Sequence, residues 1–498
     1  MNKQRILSLV LFMLALFIAG IAHFVNHHYL AGLQSDLLRE QTTVLTFDDA
    51  SYLAPAENFI AGKGWKSNAA GTASIATRSP GYGLIYAGFR LILSKHQSLI
   101  ALVVVHFLLF GIAVALIPHI GAFLSLNYRL SYALAFGVAL LPVFSGFLSY
   151  TLTEAVTPSL VLIILYGLFR CYRCTVLKLL PIALLLGFLI LVRPPMIIWV
   201  FTVLILAAAH FREMRFKNLL FLAGLSLLPI IIWQVSISTK TNELQGLHPI
   251  YQNDNNDLYR PLHRDIWNFH KSWGQSGQAF NATVNQLWAD AVHSHDPHKS
   301  ISNILKATDM DVINLIGKDR LRNAYLTYFG ILKRQVPYAK ASLPIDGVRD
   351  EEINLGATFS QFRSSYIREH WFYSNIFVPL KVYLSLGAHS NLSLYIFQKS
   401  WRGNIFMEML RYFSFFIHFG IFVCFPFALL LTRKSVLWLS VSIPVLIYLG
   451  YICIIQRGVE ERYTLPVLIP MLLVVAGAAQ KLFMYLKMNR RNQGTTQT

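Results

Sequence analysis

The chain has 498 residues, of which 55% are hydrophobic and only 13% charged, and its mean hydropathy is +0.49, which ordinary soluble domains do not reach. The composition implies a protein that crosses a membrane many times. The formal net charge of +19 would suit nucleic acid, but Lys and Arg cluster between apolar runs, as the positive-inside rule produces, so no nucleic-acid partner is expected.

Spans are expected where about 17 to 25 mostly apolar residues run together. Lys3 and Arg5 precede the first, Ile6 to Phe24, which is long for a signal peptide and reads as a retained anchor with the N-terminus in the cytoplasm. The first external loop, Val25 to Lys95, carries the adjacent acids Asp48 and Asp49. Behind them Tyr52, Ala56, Phe59 and Ile60 recur at helical spacing, with Thr46 as the expected cap. Two acids in a first helical turn suit a general base held ionised by the helix dipole, and equally a plain acid-rich helix start. Pro55 is expected to interrupt this helix early. The turn Thr77-Arg78-Ser79-Pro80-Gly81-Tyr82-Gly83 follows. Leu84 to Leu93 is too short to cross, carries Arg90, and is expected to lie in the interface.

Six further spans are expected at Ser98–Ile120, Leu130–Leu148, Val156–Leu168, Leu179–Val192, Met196–Ala209 and Asn218–Ser236. Glu154 and Arg193 then fall on the same side as Asp48, and Arg129, Arg170, Lys178 and Lys217 on the other. Residues 237–411 are polar and too long for a bare loop, so a small, mostly helical external domain pressed on the membrane is expected, with Leu321–Leu332 and Ile376–Leu386 as interfacial helices. Tyr412–Leu431, Val436–Ile455 and Thr464–Gln480 are the last spans, before a basic cytoplasmic tail, 481–498. The fold class is an all-α polytopic membrane protein of about ten transmembrane helices. Its modules are 1–236, 237–411 and 412–480, with interfacial helices in the first external loop.

This threading brings Asp48 with Asp49, Arg78, Glu154, Arg193 and Arg462 to one face. Charges at span ends are costly unless paired, so their convergence predicts a polar cavity at the outer leaflet. A soluble nucleotide-activated donor is not expected outside the cytoplasm. A donor carried on a lipid phosphate is accessible there.

The order Asp48-Asp49-x-x-Tyr52, Arg78-Ser-Pro-Gly-Tyr82, Glu154, Arg193-Pro, and Glu461-Arg462-Tyr463-x-x-Pro466 resembles the membrane glycosyltransferases of the GT-C fold. Within them it is similar to the protein O-mannosyltransferase and lipid A aminoarabinose transferase group, families 39 and 83. The resemblance covers Ile6 to Asp257 and Tyr412 to Gln480 and hardly touches the external domain. It implies a hexosyl- or pentosyltransferase of EC class 2.4 in the inner membrane. Such an enzyme moves a sugar from a polyprenyl phosphate to a glycan, lipid or protein acceptor, with inversion at the anomeric carbon. One of Asp48 and Asp49 would then be the general base, Asp48 slightly favoured, and Glu154 the second acid. Family usage often has Asp-Glu at the first motif and Asp at the second, so this chain exchanges the acids.

Physical chemistry supports those roles. A carboxylate within reach of a hydroxyl contributes about 10² to 10⁴ in rate. The leaving phosphate develops charge that Arg78, Arg193 or Arg462 could face, with Tyr52, Tyr82 and Tyr463 lining the substrate. Either no cofactor is needed or a divalent cation, Mg or Mn, sits on Asp48 and Glu154. Several site residues also have a plainer reading: Arg193 as a headgroup anchor, Arg462 as a partner of Glu460 or Glu461, and Tyr52 and Tyr82 as an aromatic belt. His293, His295 and His298 resemble a metal-ligand run but sit in a polar loop, and His106 and His418 read as buried packing. Cys171 and Cys174 form one C-x2-C without the further ligands zinc needs. Two rival functions remain, a lipid-linked glycan ligase and a lipid or sugar transporter or flippase. The latter class usually shows internal repeats, and none is found here.

Overall fold

The computed structural model describes residues 3–31, 38–46, 48–65, 67–69, 72–74, 78–171, 176–209, 214–241, 263–341, 350–388 and 404–494. Thr77 and Cys174 lie outside them. The chain opens with α1 (Lys3–Ala31), α2 (Asp49–Ile60), α3 (Gly81–Arg90), α4 (Lys95–Phe123) and α5 (Tyr128–Leu140). Between α1 and α3 two antiparallel ladders form, β1 (Leu38–Arg39) with β2 (Thr43–Val44) and β3 (Ser67–Ala69) with β4 (Thr72–Ser74). Then come α6 (Pro142–Ser145), a 3-10 turn at Thr153–Ala155, α7 (Thr157–Cys171) and α8 (Val176–Val192). A 3-10 stretch at Pro194–Trp199, α9 (Val200–Ala209) and α10 (Met214–Thr241) complete the first half.

Among the described residues seven helical segments are long and apolar enough to cross a membrane: Gln4–His28, Lys95–Phe123, Thr153–Cys171, Phe216–Thr239, Ile405–Thr432, Val436–Gln456 and Arg462–Met488. The protein is therefore an all-α, multi-pass membrane protein. The other expected spans fall on the shorter apolar helices Leu177–Val192 and Pro194–Ala209 and on α5. The expected span Leu130–Leu148 is cut because Leu141 precedes Pro142 and takes an extended conformation, φ −85° and ψ 124°. The chain instead continues as the short α6 and then as turns and bends to Leu152, buried from Val143 onward.

One apolar core runs through α1, α4, α7, α8 and the two last membrane helices, Val436–Gly450 and Leu465–Gly494, with Leu99, Ile117, Leu162, Leu186, Val441 and Leu473 among its buried members. Several bonds gather one end of the bundle. Gln480 donates to Ser125 O and accepts from Asn127 N, Tyr132 reaches Gln4 O at 3.5 Å, and Lys481 reaches Leu431 O at 3.1 Å. Lys3, Arg5, Arg129, Arg433 and Lys434 belong to this basic end, and the acidic site residues lie at the other.

Residues 263–341 and 350–369 build a second core from α11 (His263–Ser272), α12 (Gly277–Thr283), α13 (Gln286–His293), α14 (Pro297–Ala307), α15 (Met310–Ile316), α16 (Lys318–Ala341) and α17 (Asp350–Glu369). Leu321, Tyr325, Ile331 and Leu332 are buried in it together with Phe269 and Phe359, and the Tyr325 and Phe359 rings meet at 5.5 Å. The segment expected as an interfacial helix, Leu321–Leu332, is thus the spine of this unit. Helical apolar spacing marks a buried face and is silent on whether bilayer or protein covers it.

A π-helical turn at Tyr373–Phe377 leads into α18 (Val378–Ala388), then α19 (Ile405–Thr432), α20 (Val436–Gly450) and α21 (Leu465–Gly494). α18 packs on α19 through Tyr383, whose hydroxyl donates to Phe422 O at 2.7 Å, and through Gly387 beside the Phe422 side chain, while Leu380 and Leu384 are exposed. The expected basic tail is the continuing end of α21, up to Gly494.

Candidate functional site

Asp48 stands at the N-cap of α2 without capping it by side chain, and the Thr46 hydroxyl is buried without a hydrogen-bond partner, so Thr46 is not the cap. α2 runs on through Pro55 to Ile60. Its buried face is Asp49, Leu53 and Ala56, whereas Phe59, expected on the apolar stripe, is exposed against the Trp65 ring.

Successive helical residues point about 100° apart, so two adjacent acids cannot share one environment. Asp49 is 1% exposed and is held by Arg39, Nε to Oδ2 at 2.7 Å and Nη2 to Oδ1 at 2.9 Å, with the Thr151 hydroxyl at 3.2 Å. Asp48 keeps 26% of its side chain open. Its Oδ1 accepts from Arg78 Nη2 at 2.7 Å and its Oδ2 lies 2.8 Å from Arg462 Nη2. Burial alone would raise the Asp48 carboxyl, but the Arg78 and Arg462 guanidinium groups together hold it below its ordinary value.

Glu154, in the 3-10 turn before α7, is buried and lies 2.7 Å from Arg193 Nη1. Thr153 joins this pair, accepting from Arg193 at 3.2 Å and donating to Glu154 at 3.1 Å. Arg193 sits at the end of α8 with extended φ and ψ of −147° and 100°, as a residue before Pro194 must. Arg462 links the two acids: it pairs with Asp48, meets Glu460 Oε2 at 2.5 Å, and lies within electrostatic reach of Glu154.

The frame explains how distant segments meet. Val44 N donates to Ser149 O at 3.0 Å and pairs with Tyr150, which ties β2 to the Glu154 segment. Gly81 lets α3 lie against the backbone of Leu191 and Val192, since a Cβ there would sit 2.4 Å from Leu191 C. Gly83 gives the same close approach to Tyr52 O, at 2.8 Å. Those two glycines set the Arg78 turn between Asp48 and Arg193.

Tyr52 lies beneath the Arg78 guanidinium, 5.2 Å from carbon to ring centre, and meets the Tyr82 ring edge-on at 5.6 Å. Tyr82 is fully buried with its hydroxyl 3.3 Å from His106 Nε2, and His106 Nδ1 faces Leu148 O at 2.9 Å. It therefore supports Tyr52 from behind and does not reach the open site. Tyr463 donates to Glu460 Oε1 at 3.1 Å, and its carbonyl accepts from Tyr448 Oη at 2.9 Å.

The donor set suits guanidinium groups better than a divalent cation. Both oxygens of Asp48 face arginines, and Glu154 Oε1 faces a third. Among the described residues no three His, Cys, Asp or Glu side chains gather as metal ligands. His293 ends α13, His295 faces Asp290 at 3.9 Å, and His298 is in α14 beyond the Asp296 cap. His418 is buried between Gly387 O and the Thr464 hydroxyl.

Arg39 and Thr151, which claim Asp49, were not legible as site residues. The 100° rule alone could have separated Asp48 from Asp49.

No family model and no curated protein matches the chain. Among solved structures it is similar to ArnT from Cupriavidus metallidurans in the apo state, with 13% identity over 93% of this chain and 76% of that one and a TM-score of 0.34. The same protein bound to undecaprenyl phosphate matches with 13% identity, 93% and 77% coverage and a TM-score of 0.33.

Proposed function

We propose that the protein is a GT-C type glycosyltransferase that moves a sugar from a polyprenyl-phosphate donor to a hydroxyl acceptor at the membrane surface, with inversion. The observation that carries this reading is the asymmetry of the adjacent acids: Asp49 is locked on Arg39, while Asp48 is partly open and ringed by Arg78 and Arg462 beside the Glu154–Arg193 pair. An open carboxylate among fixed cations is what proton removal beside a developing phosphate charge requires. The acceptor oxygen attacks the anomeric carbon as Asp48 takes its proton. The bond from that carbon to the phosphate oxygen breaks, and the phosphate leaves as an anion onto Arg78 and Arg462.

The same arginines hold the Asp48 carboxyl low, which makes it a weak base in the free protein. As they turn to the phosphate, that hold relaxes and the base strengthens when the donor is in place. Glu154 keeps Arg193 charged and positioned at the edge of the site. An apolar groove of about 540 Å³ between the turn at Pro194–Trp199 and α10 begins at Ile197, four residues beyond Arg193, and suits the prenyl chain. In this reading the site faces outward from the inner membrane and the basic end is cytoplasmic.

Purified protein in vesicles with a prenyl-phosphate sugar and an acceptor extract tests the reading. It requires release of prenyl phosphate coupled one-to-one to a glycosylated product of opposite anomeric configuration. Transfer of preassembled polymer would favour a ligase, and donor movement across the bilayer without product a flippase.

A further inference from the structure

A second charged cluster lies where the helical unit of 263–369 meets the membrane. Arg457 follows the span Val436–Gln456 in left-handed conformation, φ 51°, and is only 7% exposed. Its guanidinium is satisfied by carbonyls: Lys271 at 2.5 Å and Ser272 at 3.4 Å at the end of α11, Ser374 at 2.6 Å in the π-helical turn, and Ile454 at 3.1 Å. Such bonds hold the group firmly but leave its charge uncancelled. Lys271 donates to Ile455 O at 3.2 Å and lies over the Trp267 ring at 5.7 Å. Burial, then the charges of Arg457, Arg363 and Arg264, push its ammonium down to about 8. Arg363 likewise acts on Arg457. Asp265 faces Arg264 and Arg363, and burial pushes its own carboxyl up; it is one acid beside Lys271, Arg264, Arg363 and Arg457, so these residues together keep a net positive charge.

An apolar surface borders these cations. Trp371, Phe372, Ile376 and Phe377, with Ile454 and Ile455 at the end of the span, all point outward, each between 46% and 67% exposed. Aromatic and aliphatic side chains at a span end beside a net-positive cluster match the boundary between acyl chains and headgroups.

We infer that this junction is a docking site for the phosphate headgroup of an anionic phospholipid, received by Lys271 and Arg363 in front of the fixed charge of Arg457. The apolar border takes the upper acyl chain, and the bound lipid fastens the helical unit to the bilayer. Charge complementarity selects the occupant: a zwitterionic headgroup brings its own cation against Lys271 and is disfavoured.

Native mass spectrometry of the full chain, released from nanodiscs holding equal phosphatidylglycerol and phosphatidylcholine, tests the site. Wild-type protein should retain phosphatidylglycerol preferentially. The double variant Lys271→Gln, Arg363→Gln should retain it about thirtyfold less, each cation near the surface being worth roughly fivefold. Arg433→Gln with Lys434→Gln, the same charge loss at the opposite end of the span, should leave retention unchanged. Equal retention of both lipids, equal loss in both double variants, or displacement of the lipid by inorganic phosphate would overturn the inference.

Discussion

Arg39 grips Asp49 through two parallel hydrogen bonds, Nε to Oδ2 and Nη2 to Oδ1, in a place where the carboxylate is 1% exposed. Bidentate geometry is the strong form of this contact, and it commits both oxygens of Asp49 to holding β1 against α2. In the proposed reading, the chemistry at this pair of acids falls to Asp48.

Replacing Asp49 by Asn should therefore act on stability. It strips one partner from a buried pair and leaves Arg39 uncompensated, at a cost on the order of 3 kcal/mol. Thermal unfolding in detergent should show a lowered midpoint, with activity per folded molecule falling far less than protein yield. An unchanged midpoint would mean that the pair does not hold the loop.

Arg462→Gln should move the acid limb of the pH profile. Arg78 and Arg462 depress the Asp48 carboxyl, so losing one of them raises its pKa, and the ionised base then disappears at a higher pH. The limb should shift upward in kcat/KM for the free enzyme. The linked stability has the matching sign. A depressed folded-state pKa contributes stability that is present above the unfolded value and is lost as pH falls through the folded one, so the wild type should lose more stability on acidification than the variant. A limb that stays in place or moves down would remove Arg462 from the environment of the base.

Gly81→Ala tests the frame. The added methyl would lie 2.4 Å from a backbone carbon of Leu191, so α3 or the end of α8 must move. Overpacking of this kind costs about 1 to 3 kcal/mol. Because the shift falls between the Arg78 turn and Arg193, transfer should drop more than the melting point suggests. Gly88→Ala on the same helix, where a Cβ would meet nothing within 4 Å, should be silent in both measurements. Equal behaviour of the two variants would separate that contact from the site.

Much of the architecture was legible because the bilayer imposes it. Long apolar stretches must become helices, and basic loops mark their common end, where Gln480 is tied to Asn127 and Tyr132 to Gln4. That reasoning also put Asp48, Glu154, Arg193 and Arg462 at one end before any contact was visible. It was blind in two places. The apolar face of Leu321–Leu332 carries no mark telling a bilayer from a protein core, and only the surrounding helices supply the partner. Arg39 stands in a short loop without periodicity, so its claim on Asp49 depends on the β1–β2 ladder, which two-residue strands do not announce. The break at Pro142 was readable in principle, since the residue before a proline avoids helical geometry.

The central claim concerns one carboxylate, and Asp48→Asn tests it most directly. The exchange keeps the shape of the side chain and removes its charge and basicity. In vesicles loaded with a prenyl-phosphate sugar and acceptor, transfer should fall by about 10² to 10⁴ while the protein still folds and binds the donor. Asp49→Asn molecules that fold should retain transfer. Full activity in Asp48→Asn would contradict the account.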